Sequence, residues 1–356
     1  MPDKIYINAK FLAQKITGVQ RFALEICREL IKISPDIILV SERGLQNKNY
    51  FSEFDIISCG VNKGNLWEQL DLPIFLKKKG NPLLLNLTNS APLAYKNKIV
   101  TIHDISFEQD PSWFSFRFRT MYKFLVPRNI KSSKLVFTVS SFSKNELMNY
   151  YKIESDKIKI VYNSFNKQKF YLDKNRKENG EDYLLMTFSL SSRKNVLNAL
   201  KAYSLLNTKV KLYIVGEQDK NLGNLKIEKK YLNNKNINFL GYVNDNELLS
   251  LYNNALGFVY PSLYEGFGLP PIEAQACGCP CIVSDIPALR EVYRESVLYF
   301  DPQNSLDISN KMEKLILNKN VRKELVEDGL MNCRLYDWSK SAKIVLKSIR
   351  KEINKE

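Results

Sequence analysis

The 356 residues are 44% hydrophobic and carry 53 Lys and Arg against 38 Asp and Glu, a formal charge of +15. That apolar content excludes an intrinsically disordered chain, and the length suits two doubly wound domains at about 150 residues each. No apolar run reaches the roughly 18–20 residues that cross a bilayer. The opening MPDKIYINAKFLAQK is broken by charge, unlike a secretory leader, so a cytoplasmic protein is expected.

In chain order, a short apolar strand is predicted at Lys4–Asn8. After Gly18, Val19, Phe22, Ala23, Ile26 and Leu30 form one helical stripe. Buried runs follow at Ile37–Val40, Leu83–Leu87, Ile99–His103 and Leu135–Val139, with helical stretches between several of them. Strands alternating with helices predict a parallel sheet. The polar stretch between Tyr162 and Asp182 reads as a linker. A second alternating set then begins, with strand Tyr183–Phe188, helix Asn195–Leu206, and strands Val210–Gly216 and Ile237–Leu240. Helix Asn246–Asn254, strand Leu256–Tyr260, a short helix near Pro271–Cys277, and strands Pro280–Ser284 and Val297–Phe300 complete it. In open parallel sheets ligands bind beyond the carboxyl ends of the strands, so functional residues are expected just after strands.

The charge is uneven. Residues 1–175 hold 27 Lys and Arg against 16 Asp and Glu, a net +11, and the remainder holds 26 against 22, a net +4. A basic half favours anionic partners: nucleic acid, lipid headgroups or phosphorylated small molecules. Residues 111–134 mix aromatic and basic side chains, which suits either docking on an anionic membrane or a packed helix with a solvated basic face. The six cysteines suggest no disulfide framework in so long a chain. CGCPC, residues 277–281, lacks the further ligands a metal would need and reads as small residues buried where a helix turns into a strand.

The strongest local signal is YPSLYEGFGLPPIEAQACGCPCIVSD, residues 260–285. A strand feeds a loop holding Glu265, Gly266, Phe267 and Gly268; Pro270 and Pro271 then open a helix whose first turn holds Glu273. Glycines let backbone amides approach a ligand, and a helix N-terminus adds partial positive charge, which suits a diphosphate. SLSSRKN, residues 189–195, places Arg193 and Lys194 after the first strand of the second set. Fixed cations there can meet the negative charge of a departing nucleoside diphosphate. His103 ends an apolar strand and precedes Asp104.

EGFGLPPIEA and the trailing ACGCPCIVSD resemble the signature of glycosyltransferase family 4, a large retaining family. The resemblance extends over nearly the whole chain. It implies the GT-B fold: α/β, two Rossmann-like domains whose parallel sheets face each other across a cleft. Residues 1–170 would bind the acceptor, 171–337 the nucleotide-sugar, and 338–356 would form a helix crossing back to the first domain. Glu265 would contact sugar hydroxyls near the reacting centre, with the amides of Phe267, Gly268 and Leu269 beside it. Glu273 would bind the ribose and Val243, in FLGYVND, the nucleobase. Arg193 and Lys194 look like the family's basic phosphate motif, although Phe188-Ser189 stands where many relatives carry Gly-Arg. His103 resembles the first-domain contact to the donor sugar. Gly18 matches the glycine loop, and Arg21 and Asp104 would face the acceptor.

The activity implied by this resemblance is a retaining transfer from a UDP-, GDP- or other nucleotide-sugar to a glycan or polyprenyl-diphosphate-linked glycan of a bacterial surface polysaccharide. Such a protein would work in the cytoplasm or on the inner face of the cytoplasmic membrane. The chain contains no D-x-D, so no metal and no resident cofactor are expected. The rivals are a sugar-nucleotide 2-epimerase of the same fold, a phosphorylase-like enzyme, which would need a longer chain, and a basic nucleic-acid-binding protein. No recognition motif supports nucleic acid as a partner.

Overall fold

The computed structural model describes residues 4–45, 52–174, 181–187, 191–216 and 227–354. Phe188 and Ser189, residues 175–180 of the polar stretch and Lys355 lie outside the described residues. The chain divides into two compact units. One comprises Met1–Pro111, Ser115–Asn163 and Asp337–Glu356; the other comprises Ser112–Phe114 and Ser164–Tyr336.

The first unit is a seven-stranded sheet, parallel throughout, in the order β3-β2-β1-β4-β5-β6-β7. Its strands are β1 (Ile5–Asn8), β2 (Ile37–Ser41), β3 (Ile56–Ser58), β4 (Leu84–Asn86), β5 (Lys98–Thr101), β6 (Leu135–Thr138) and β7 (Ile158–Ile160). β1, β2, β4, β5 and β6 are buried along their whole length, as strands covered on both faces must be. Helix α1 (Gly18–Ile33) buries Phe22, Ala23, Ile26 and Leu30 of the predicted stripe together with Cys27, while Val19 in its first turn is only half-buried, and a capping box of Thr17 and Gln20 sets its start. A continuous helix over 64–78, here α2, joins β3 to β4, and its centre, Trp67–Asp71, is a π turn. α3 (Phe116–Ser132) joins β5 to β6, and α4 (Ser141–Tyr151) joins β6 to β7. The order turns back between β1 and β4, which makes their carboxyl ends the switch point of this sheet.

The second unit repeats the plan with six parallel strands ordered β10-β9-β8-β11-β12-β13. They are β8 (Tyr183–Thr187), β9 (Lys211–Val215), β10 (Ile237–Gly241), β11 (Gly257–Tyr260), β12 (Cys281–Ser284) and β13 (Leu298–Phe300). α5 (Val196–Ser204), α6 (Asp245–Asn254), α7 (Leu269–Ala276) and α8 (Pro287–Tyr293) alternate with them, and α9 (Ser305–Leu317) and α10 (Lys319–Cys333) follow. Val196, Ala199, Leu200 and Tyr203 of α5 share one core with Leu184, Ile214, Val259, Ile282 and Met312. The switch point here lies between β8 and β11.

The final helix, α11 (Trp338–Ile353), belongs to the first unit and packs on α1. Trp338 meets Phe22 edge-on at 5.8 Å, and Ser341 Oγ donates to the Tyr162 carbonyl at 2.6 Å. The polar stretch read as a linker is not loose along its described length. Ser164 onward counts with the second unit, where Phe170 is buried against Tyr252 at 6.0 Å and the Asp173 amide donates to Asn253 at 2.8 Å. Two lone phenylalanines, Phe165 and Phe170, anchor a segment whose composition otherwise reads as solvent-exposed. Cys277, Cys279 and Cys281 are buried at the turn from α7 into β12, and none of the described cysteines forms a disulfide.

Candidate active site

At the switch point of the second unit, two loops meet. After β8 the chain makes a 3-10 turn at Ser192–Lys194, and Asn195 then adopts the left-handed conformation at φ 56°, which its short polar side chain tolerates. Asn195 Nδ2 donates to the Pro302 carbonyl at 2.7 Å, fixing the start of α5. The loop after β11 reaches back: the Leu263 amide donates to the Arg193 carbonyl at 2.8 Å, and Arg193 Nη1 donates to the Tyr264 carbonyl at 2.8 Å.

These backbone ties bring three charged side chains together. Lys194 Nζ lies 2.6 Å from Glu265 Oε1, and Arg193 Nη1 lies 3.3 Å from Glu265 Oε2. Tyr260, the last residue of β11, donates its hydroxyl to Glu265 Oε1 at 2.9 Å and accepts from Lys194 Nζ at 2.8 Å. Burial by itself would raise the Glu265 carboxyl. The Lys194 and Arg193 charges outweigh it and hold the group at about 2. Against the ordinary 4.5, that is a preference of about 3 kcal/mol for the carboxylate. Burial and then Glu265 push the Tyr260 phenol well above its usual range, so it stays a donor.

Gly268 precedes α7 at φ +86°, a conformation glycine adopts freely. A β-carbon there would sit 2.6 Å from Leu289 Cδ2. Tyr293 donates its hydroxyl to the Gly268 carbonyl, and Phe267 packs edge-on against Tyr336 at 5.3 Å. Gly266, Phe267 and Leu269 are buried beside Glu265. α7 begins at Leu269, so Glu273 stands one turn into the helix and not in its first turn. It is buried, at 6% exposure. Val243 is half-buried just before Asn244, which caps α6. Pro270 and Pro271 carry no N–H, so the amide donors at this terminus come from the glycine loop and Leu269.

The other predicted residues lie in the first unit. His103, past the end of β5, is 5% exposed; its ring meets Phe22 of α1 edge-on at 4.8 Å, and Nε2 lies 3.0 Å from the Leu87 carbonyl. Burial lowers its pKa and keeps the imidazole neutral. A carbonyl only accepts, so Nε2 carries the proton and Nδ1 is the acceptor. Asp104 Oδ1 accepts from the Ser106 amide at 2.9 Å and hydroxyl at 2.6 Å, a local turn. Gly18 opens α1 at the surface and Arg21 is half-buried one turn on.

The sequence reading missed Tyr260, which looks like any strand aromatic. It also missed a polar lock in the first unit. Lys10 and Glu68, 4% and 1% exposed, pair at 2.8 Å. Lys10 also donates to Ser90 and Asn65, while Asn8 and Ser90 donate to Glu68. Nothing in the local sequence marks a lysine and a glutamate 58 positions apart as partners.

Comparison with known proteins points to the same region. Residues 167–330, which hold the whole cluster, match the family described as Glycosyl transferases group 1. The chain is 36% identical over 230 residues to O-antigen chain mannosyltransferase RfbU of Salmonella typhimurium, covering 64% of each chain. It is 31% identical over 265 residues to O-antigen chain mannosyltransferase B of Escherichia coli, covering 69% of this chain and 68% of that one. The chain belongs to the group 1 glycosyltransferases.

Among solved structures, sucrose-phosphate synthase from Thermosynechococcus elongatus superposes over 99% of this group 1 chain with a TM-score of 0.80 at 16% identity. WaaG, a glycosyltransferase involved in lipopolysaccharide biosynthesis, covers 97% with a TM-score of 0.73 at 14% identity. At those identities the likeness shows the fold, which is GT-B. The matches span about two thirds of the two mannosyltransferases.

Proposed function

We propose that this group 1 glycosyltransferase retains anomeric configuration, moving a hexose, with mannose the first choice, from a nucleoside-diphosphate sugar to a bacterial O-antigen or related surface glycan. The observation that carries the reading is two cations, Lys194 and Arg193, gathered on one carboxylate at the switch point beside the N-terminus of α7. The mannose preference is supported by the names of the two relatives.

In the proposed step the bond from the anomeric carbon to the β-phosphate oxygen breaks, and the diphosphate leaves with the electron pair. The acceptor hydroxyl attacks from the same face, and its proton passes to the leaving phosphate oxygen. Lys194, Arg193 and the α7 terminus meet the growing charge in place of a divalent ion, so no metal and no resident cofactor are required. Glu265, ionised at working pH, holds the cations before the donor arrives and then serves the sugar hydroxyls. Glu273 and Val243 are assigned to the ribose and base. His103 Nδ1 would accept from a donor-sugar hydroxyl, and Gly18, Arg21 and Asp104 are assigned to the donor and acceptor side. The acceptor is a glycan or polyprenyl-diphosphate-linked glycan, reached with the protein peripheral on the cytoplasmic face of the membrane. No described helix is long and apolar enough to cross a bilayer.

Lys194→Ala tests the reading. Transfer from a labelled nucleotide-mannose should fall about 10²–10³-fold, with thermal melting near that of the parent and activity of the parent insensitive to EDTA. Near-normal turnover in the variant would remove the leaving-group assignment.

A further inference from the structure

Helix α2 turns an apolar edge outward. Leu66, Leu70 and Ile74, at helical spacing, are 62%, 52% and 55% exposed, while Trp67, Glu68, Leu72 and Leu76 of the same helix are buried. The π turn allows two consecutive residues, Trp67 and Glu68, to face inward between the exposed Leu66 and Leu70. Trp67 Nε1 donates to the Cys59 carbonyl at 2.9 Å, and Glu68 is locked by Lys10, Ser90 and Asn8. The outward stripe is therefore held rigidly from inside the fold.

α3 lies on the same face of the sheet. Both helices join strands that step in the same direction along it, and right-handed crossovers then place both on one side. Contact agrees: Asn65 Nδ2 donates to Met121 Sδ at 3.5 Å. α3 adds Phe116 and Phe124, 76% and 50% exposed.

Exposed lysines stand at both ends of this stripe. Lys63, Lys77 and Lys78 have no ion-pair partner among the described residues, and Lys79, Arg117, Arg128 and Lys131 stand nearby in sequence. The acids of α2 are spent internally. Glu68 is buried, and Asp71 accepts from the Val61 and Asn62 amides at 2.8 Å. A two-fold contact between copies would set these lysines against one another, whereas an anionic bilayer offers apolar depth and opposite charge together.

We infer that the α2 edge, Leu66, Leu70 and Ile74 with Lys63, Lys77 and Lys78, is the surface that seats the protein on anionic lipid, with α3 beside it. This rests on the peripheral-membrane part of the proposed function and names the face that makes the contact.

The test is co-sedimentation of the full chain with vesicles of phosphatidylcholine alone or with about one third phosphatidylglycerol. The parent should bind the anionic vesicles and release in high salt. Leu66→Ser/Leu70→Ser/Ile74→Ser should weaken partitioning at least tenfold. Lys77→Glu/Lys78→Glu should weaken it by more than the roughly fivefold expected per lysine removed. Both variants should melt like the parent and keep transfer to a water-soluble acceptor, whereas Lys194→Ala should lose transfer and keep vesicle binding. If the parent binds and the triple serine variant binds equally, the α2 assignment is overturned and Phe116→Ser/Phe124→Ser locates the contact on α3. If the parent ignores anionic vesicles, or sedimentation shows a dimer that the triple variant dissolves, the membrane reading falls with it while the transferase reading stands.

Discussion

The two units reach the same topological point and build opposite things there. At the carboxyl ends of β1 and β4, one lysine meets one glutamate, both almost fully buried. All three Lys10 protons are taken, by Glu68, Ser90 and Asn65 at 2.8, 2.9 and 3.1 Å. At the ends of β8 and β11, two cations share one carboxylate, and the side chains of Arg193 and Lys194 keep 17% exposure. The first arrangement is neutral and closed, so it can only hold loops together. The second sets two cations against one carboxylate and leaves part of both cations open to solvent. Stoichiometry and exposure, more than residue type, separate the structural lock from the proposed donor site.

The contrast breaks most easily at the lock. Glu68→Ala leaves Lys10 buried without a counter-charge and should cost about 3–5 kcal/mol, read as a fall in the unfolding transition of the first unit by chemical denaturation. Nucleotide affinity of the surviving folded fraction should be unchanged. Weakened nucleotide binding at unaltered stability would mean the lock is itself a ligand site.

At the Glu265 cluster, acid supplies the next largest effect. The Glu265 carboxyl is depressed, so its contribution is complete above the unfolded value near 4.5 and fades as pH falls towards 2. That contribution is at most about 3 kcal/mol. Melting followed from pH 5 to 2 should show the loss in the parent and a shallower one in Lys194→Ala, where the carboxyl is less depressed. Identical slopes would show that Lys194 does not set the Glu265 charge.

Smaller still, Gly268→Ala forces an alanine to φ +86° with its β-carbon against Leu289. A cost of about 1–2 kcal/mol is expected, together with weaker nucleotide binding as the Glu265 loop shifts. Calorimetry that finds the stability loss with donor affinity intact would detach this loop from the donor.

Much of this was legible beforehand, for physical reasons that differ by region. The two alternating sets of strands and helices stand out because buried parallel strands are continuous apolar runs, and the EGFGLPPIEA loop is marked by glycines and prolines with few other uses. β3 and β7 escaped because three-residue edge strands such as Ile158–Ile160 carry too little apolar sequence to register. α8, α9 and α10 went unassigned although Asn304 and Asn318 cap α9 and α10. In the site, Lys194 and Glu265 could be proposed from their loops, but their direct pairing and the part of Tyr260 depend on two loops 66–71 positions apart closing on each other. Lys98 shows the same limit: a lysine in a strand looks exposed, yet it is wholly buried, donates to the Pro92 carbonyl and Asn129, and has its pKa lowered to about 8 by that burial.

The return of α11 to α1 has a consequence for how the first unit is closed. Because Asp337–Glu356 completes the unit begun by β1, the second unit is in effect an insertion within the first. Phe22 and its neighbours on α1 are therefore covered by residues that lie beyond the whole of the second unit in sequence, Trp338 among them. The unit that the chain begins is thus closed by a sixteen-residue helix from the far side of the other unit in sequence.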